Sequence, residues 1–430
     1  MKIAMFTNTY YPHIGGVARS VAILSEDLRR MGHEVIIVAP EFADMNPDDQ
    51  REQWVYRVPA IQNFNGSDFS VRLPAPLLLS EFLKAFSPHI IHSHHPFLLG
   101  DTALRIARLF DLPLIFTHHT LYERYTHYVP LDSEAMQQFA IHLSSEYAKL
   151  CDAIVAPSES IAELIKQRGV DTRVKVIPTG VDLASFAHGK GAAFRKKSGL
   201  HEDAFVIGHL GRLAEEKNLP YLAQAAIMVL KEHPAARFLL VGEGAVADTL
   251  RAQFQAQGVS EQVLMPGNLS GQDLVNAYKA MDLFIFASQT ETQGMVLTEA
   301  MAAGVPVIAL DASGVREVIT DQENGRLLPA DTSARAFAAA IKQVLSEPER
   351  LKQWQGQTRK TAKQFSRQNS ATAMAGLYQS QIEQFQLQLS SFNESEIQGL
   401  DIIVNKFKTE WELIAEKTRA AVKTVKRLNS

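Results

Sequence analysis

Disulfide chemistry is excluded at the outset, because Cys151 is the one cysteine in 430 residues. No intrachain bridge can form, and a reducing compartment is the default. Long apolar runs are missing too. Nothing approaches the ~20 consecutive apolar residues of a membrane-spanning helix. The opening Met1-Lys2 leads straight into IAMFT, too short a stretch for a secretory leader. Surplus positive charge is also absent: 43 Lys and Arg against 47 Asp and Glu give a formal net charge of −4, which argues against a general nucleic-acid binder. The turn after the first apolar segment has no G-x-G-x-x-G, so an oxidoreductase built on a dinucleotide fingerprint is disfavoured. The expectation is a cytoplasmic chain, soluble or at most peripheral at the inner face of a membrane.

What is present suffices for two substantial cores, with 46 % hydrophobic and 21 % charged residues. Residues 2–7 read as a buried strand, NTYYPHIGGVARS as a turn carrying Gly15 and Gly16, 17–31 as a helix stopped by Gly32, and 34–39 as a second strand. This is the opening βαβ unit of a parallel sheet. Strands at 53–58, 89–92, 114–117, 152–156 and 174–177 follow, with helices at 75–86, 101–110, 132–150 and 158–167. Five histidines (His92, His94, His95, His118 and His119) fall at the ends of two of these strands. No cysteine or spaced carboxylate completes a familiar metal set, and ligands of open α/β sheets gather at strand C-termini. Residues 183–203 lack apolar periodicity and read as a linker. A second α/β unit opens with strand 204–210 and the turn GRLAEEKN, in which Arg212 and Lys217 lie five apart after Gly211. A planar fork and a mobile point charge together suit a diphosphate.

Residues 288–316, SQTETQGMVLTEAMAAGVPVIALDASGVR, hold the densest pattern. A strand, Leu283–Phe286, enters a polar turn ending in Gly294. A helix from Met295 to Ala303 follows, closed by Gly304. Free N–H groups and the helix dipole make such an N-terminus an anion site. Glu291 in the turn and Glu299 in the helix stand eight apart.

S-x-x-E-x-x-G, E-A-M-A-x-G-x-P-V-I and the G-V-R-E-V-I loop together resemble the E-x7-E signature of family 4 retaining glycosyltransferases. The resemblance implies an α/β chain of two facing Rossmann-like domains, the GT-B type, with a nucleotide-sugar in the cleft and a C-terminal helical extension. It divides the chain into an acceptor-side domain (1–180, with helix 369–385 crossing back), a linker (181–203), a nucleotide-sugar domain (204–368) and a tail (386–430). It implies that Gly15 and Gly16 let the backbone approach the donor, that His119 contacts the donor sugar, and that Gly211, Arg212 and Lys217 meet the diphosphate. Asn268 in Pro266-Gly267-Asn268 would meet the base. Gly294, Met295 and Val296 would present the helix N-terminus, Glu291 would hold sugar hydroxyls and Glu299 the ribose. Neither metal nor cofactor is implied, and catalysis would be electrostatic and positional.

The segment LYERYTHYVP is similar to the matching loop of diacylglycerol glucosyltransferases. Tyr122, Tyr125 and Tyr128 are its candidate acceptor residues, and packing on the core is the alternative. Helices are read at 332–346 and 348–385. In the tail, Leu400, Val404, Phe407, Trp411, Ile414, Thr418, Ala421, Val425 and Leu428 form one apolar stripe with a basic end. Membrane-surface contact and self-association both fit such a helix. The function expected is transfer of a hexose, with UDP-glucose as the leading donor, to a lipid hydroxyl of the diacylglycerol type. The alternatives are a soluble sugar or polysaccharide precursor as acceptor, or a nucleotide-sugar epimerase of similar architecture.

Overall fold

The computed structural model describes residues 1–13, 15–42, 45–46, 48–61, 71–72, 76–126, 133–392 and 417. The chain divides into two units, residues 1–180 with 368–430, and residues 181–367.

In the first unit, β1 (Lys2–Phe6), α1 (Gly16–Arg30), β2 (Glu34–Pro40), β3 (Val55–Val58), the small pair β4 (Ala60–Ile61) and β5 (Val71–Arg72), and α2 (Pro76–Phe86) come first. Then follow β6 (Ile90–Ser93), α3 (Leu99–Leu109), β7 (Leu114–Thr117), α4 (Glu134–Lys149), β8 (Ala153–Ala156), α5 (Glu159–Gln167) and β9 (Val174–Val176). The seven-stranded sheet has the order β3-β2-β1-β6-β7-β8-β9, with parallel pairing throughout. Strands such as IIHS and AIVA are buried end to end, as expected of a parallel sheet covered on both faces. Ser133 and Ser158 cap α4 and α5 by accepting from Met136 N and Ile161 N, satisfying an otherwise orphaned N–H in each first turn.

The second unit begins earlier than expected. Residues 181–203, read as a linker, form α6 (Leu183–Ala187) and α7 (Gly191–Lys197). The apolar residues there are few but correctly spaced: Phe186 and Phe194 are buried in one core with Tyr278 and Phe284. After them come β10 (Val206–Leu210), α8 (Leu219–Glu232), β11 (Arg237–Val241), α9 (Ala247–Ala256), β12 (Val263–Gly267), α10 (Gly271–Lys279), β13 (Leu283–Phe286), α11 (Met295–Ala303), β14 (Val307–Leu310), β15 (Gly325–Leu328), α12 (Ala334–Ser346) and α13 (Pro348–Gln364). Its sheet runs β12-β11-β10-β13-β14-β15.

The helix read over 348–385 is two helices, α13 and α14 (Arg367–Phe392). They separate because Phe365 packs on the second unit's core and Ser366 bridges to Val181. Past that break α14 joins the first unit, where Met374, Leu377 and Tyr378 pack with Met5, Val21 and Ile37. It runs on to Phe392, beyond the tail boundary expected at 386. The apolar stripe of the tail and Tyr128 lie outside the described residues. Lys417, which is described, donates from Nζ to Asp101 Oδ2 on α3 at 2.8 Å. Among the described residues no helix is long and apolar enough to cross a membrane.

Candidate functional site

Both sheets reverse their strand order once, between β1 and β6 in the first unit and between β10 and β13 in the second. The loops leaving the C-terminal ends of such strands diverge and leave a crevice, where open α/β sheets bind ligands. In the second unit these loops are 211–218 and 287–294, which carry Arg212, Lys217 and Glu291.

The first loop is built on close backbone approach. Gly211 N donates to Val241 O and Leu213 N to Glu243 O. A Cβ on Gly242, whose φ is +136°, would lie 1.9 Å from Gly211 O, so no side chain fits there. Asn218, in the left-handed region at φ 55°, turns the chain into α8. Its Nδ2 reaches Ala287 O at 3.4 Å, and Ser288 Oγ reaches Glu216 O at 3.4 Å. Through these bonds the two loops hold each other.

Lys217 Nζ donates to Glu291 Oε1 at 2.5 Å, with each side chain 17 % exposed. Burial pushes the Glu291 carboxyl up, but Lys217 and a hydrogen bond from Ser288 outweigh it and hold the group below its usual range. Arg212 pairs with Glu216 and stays half exposed. Helix α11 spans the residues expected, between Gly294 (φ 69°) and Gly304 (φ 83°), both left-handed. Glu299 is 2 % exposed, so it is a buried carboxyl and not a solvated helix charge. Tyr278 OH donates to its Oε2 at 2.8 Å. Asn268 Nδ2 donates to Glu243 Oε2 at 3.1 Å, at the surface. The second unit therefore brings Arg212, Lys217, Glu291 and the α11 N-terminus to one edge of one sheet.

In the first unit, Gly15 caps α1 and Gly16 is its first residue. The histidines cluster as their strand positions imply. His94 Nδ1 lies 2.9 Å from His119 Nε2. His92 bridges Tyr378 OH at 2.6 Å and Thr117 Oγ1 at 2.7 Å. His95 Nδ1 accepts from Asn8 N. Burial pushes His92 and His95 down to about 3 and His94 and His119 well below the usual value. The cluster is neutral at physiological pH and offers lone pairs and N–H donors rather than charge. Among the described residues no group of three His, Cys, Asp or Glu is arranged to hold a metal. Tyr122 packs edge-on against Phe97 and His118 at centroid distances of 5.3 and 6.1 Å. Tyr125 is half-buried at the end of the same turn.

One residue escaped the sequence reading. His209, in the otherwise apolar strand VIGHL, is buried beneath the Gly211–Lys217 loop. A lone imidazole in a buried strand was the available signal.

The family model for glycosyltransferase family 4 matches residues 14–185, and that for glycosyl transferases group 1 matches residues 192–361. The alpha-monoglucosyldiacylglycerol synthase of Streptococcus pneumoniae is 32 % identical over 335 residues, 76 % of this chain and 75 % of that one. A GDP-mannose-dependent alpha-mannosyltransferase of Mycobacterium tuberculosis is 29 % identical over 358 residues, 81 % of this chain and 89 % of that one. Among solved structures, sucrose-phosphate synthase from Thermosynechococcus elongatus superposes with a TM-score of 0.71 at 22 % identity, covering 88 % of this chain and 98 % of that one. HepE of Anabaena in complex with UDP superposes with a TM-score of 0.70 at 21 % identity, covering 88 % of this chain and all of that one. Two sheets of this topology with these neighbours define a GT-B glycosyltransferase, an enzyme that transfers sugar from a nucleotide-sugar. More narrowly, the chain belongs to the family 4, group 1 glycosyltransferases and resembles their glucosyldiacylglycerol-forming members.

Proposed function

We propose that this enzyme is a retaining, metal-independent hexosyltransferase that takes glucose from UDP-glucose and delivers it to a diacylglycerol-type hydroxyl. The observation that carries the donor half is the convergence of Arg212, Lys217, Glu291 and the α11 N-terminus at the β10/β13 switch point. As the glycosidic C–O bond breaks, its electron pair passes to the diphosphate. Two cations and a helix N-terminus meet that growing negative charge, and stabilisation that grows with the charge lowers the barrier. The acceptor oxygen forms the new bond to carbon, and its proton passes to the departing phosphate. Glu291, held by Lys217, accepts from sugar hydroxyls. Glu299, held by Tyr278, accepts from the ribose. In the first unit, Gly15, Gly16 and the neutral His119 are the candidate sugar-binding groups. No residue need serve as a covalent nucleophile.

For the acceptor, support comes from the 32 % identical relative named as an alpha-monoglucosyldiacylglycerol synthase and from the segment bearing Tyr125 and Tyr128. The basic end of the tail would dock the enzyme on an anionic inner membrane face, each Lys or Arg contributing ~1 kcal/mol. A second reading, a GDP-mannose donor, is favoured by relatives at 29 % identity that carry that name. The test incubates purified chain with UDP-glucose or GDP-mannose and diacylglycerol in mixed micelles, with and without EDTA. UDP release and an α-linked glucosyl lipid insensitive to EDTA are expected. Release of GDP alone, a β-linked product or loss of activity in EDTA each overturns the corresponding part.

A further inference from the structure

We propose that His209 is a further donor-binding residue, one that takes up a proton as the diphosphate settles over Gly211 and then serves as a third cation beside Arg212 and Lys217. This deepens the donor reading and rests on it.

The parallel register between β10 and β13 ends at Gly208↔Phe284. One residue further, His209 Nδ1 lies 3.0 Å from Ile285 O. A carbonyl only accepts, so Nδ1 carries the proton, and in the neutral ring the lone pair sits on Nε2. His209 is 1 % exposed, and Nε2 is buried with no hydrogen-bond partner among the described residues. A buried polar atom left unpaired costs free energy, so its direction is informative. Apart from atoms of Leu210 and Arg212, a Cβ built on Gly211 would have Nε2, at 3.7 Å, as its one neighbour within 4 Å among the described residues. The imidazole Nε2 therefore lies directly beneath the backbone of the glycine in the phosphate loop. A ligand group that approaches the backbone at Gly211 meets Nε2.

The charges around the ring explain why protonation would wait for the ligand. Burial pushes His209 down to about 4 against the hydrogen bond to Ile285, which raises it, with Lys217 lowering it and Glu291 raising it more weakly. Those two form an ion pair and largely cancel. From β13 the neighbours are the uncharged rings of Phe284 and Phe286, stacked at 5.7 and 5.9 Å. A diphosphate brings net negative charge where the ion pair brings none, and an opposite charge nearby favours the protonated ring. The imidazole is therefore neutral in the free enzyme and charged in the complex. Binding is strongest below the pKa of the free enzyme, weakens as pH rises toward the pKa in the complex and levels off above it.

Calorimetry of UDP binding to the full chain, in buffers of different ionisation enthalpy between about pH 6 and 8, tests this. Wild type is compared with His209→Gln and His209→Phe, after thermal melts show both variants folded. Titration of UDP's own phosphate appears equally in all three proteins and drops out of the difference. Wild type should take up more protons than either variant and lose on the order of tenfold more affinity across that range, the loss expected for one linked proton whose pKa in the complex lies near its middle. Equal proton uptake in wild type and His209→Gln overturns the inference while leaving the donor reading intact. So does a variant that binds UDP normally but UDP-glucose weakly, because Nε2 would then accept from a sugar hydroxyl. Wild type that binds no nucleoside diphosphate overturns the donor reading and this inference with it.

Discussion

Replacing Lys217 with Met removes one half of the ion pair at the centre of the proposed donor site and leaves the Glu291 carboxylate buried. Deleting one partner of a fully buried pair costs ~3–5 kcal/mol. Because 17 % of each side chain remains exposed, water recovers part of that, and about 2–3 kcal/mol is expected. Glu291 in the wild type is held below the ordinary carboxyl value of 4.5, so its contribution to stability is present above that value and is lost as pH falls through the depressed one. In Lys217→Met the burial that pushes the carboxyl up loses its main opponent, and the sign reverses. The folded protein now favours the protonated acid, so the destabilisation should grow as pH rises from about 5 to 7.5. Glu291→Gln placed on Lys217→Met should recover most of the loss, with a coupling of ~1–3 kcal/mol in the double-mutant cycle. Urea unfolding at both pH values gives these numbers. Trp54 and Trp411 are replaced by Phe so that Trp354, buried in the second unit, is the reporter. Additive single-mutant effects together with a pH-independent cost for Lys217→Met would refute the reasoning, since the two side chains would then not be energetically paired.

Glu299→Ala should weaken UDP binding by roughly 10- to 100-fold, the worth of a hydrogen bond to a charged group; unchanged affinity in the folded variant removes the ribose role. Arg212→Ala should lower kcat more than it raises the donor KM, because the charge it meets is largest in the transition state. An effect confined to KM would make Arg212 a uniform binding residue instead. Flotation with vesicles should carry the full chain when anionic lipid is present and release it when the chain is cut after Phe392. Equal flotation of both forms, or of neither, removes the docking role of the tail.

The helix Met295–Ala303 was legible to the residue because its ends are chemical events. Gly294 and Gly304 both adopt positive φ, and glycine takes that conformation at least cost. The strands were legible because parallel strands buried on both faces read as unbroken apolar runs. Residues 181–203 were misread for the opposite reason. Phe186 and Phe194 anchor two short helices to the core, but helices this short carry too few apolar positions to reveal a period. The break between α13 and α14 was invisible because it is caused by Val181, which meets Ser366 across 185 positions of chain. No glycine or proline marks it.

Residue type survived the passage from sequence to structure better than residue partnership did. Two cations after Gly211 and two glutamates flanking Gly294 could be singled out one loop at a time. That Lys217 closes on Glu291, 74 positions away, follows only from the β10–β13 adjacency, which places two distant loops on one edge. The same adjacency explains His209. In an isolated strand an imidazole among apolar residues is an oddity, but at the point where β10 and β13 part company it gains a carbonyl on one side and the backbone of Gly211 on the other. A switch point is therefore more than a gap between diverging loops. It is the place where a parallel sheet stops satisfying its own polar groups, and where a ligand can satisfy them instead.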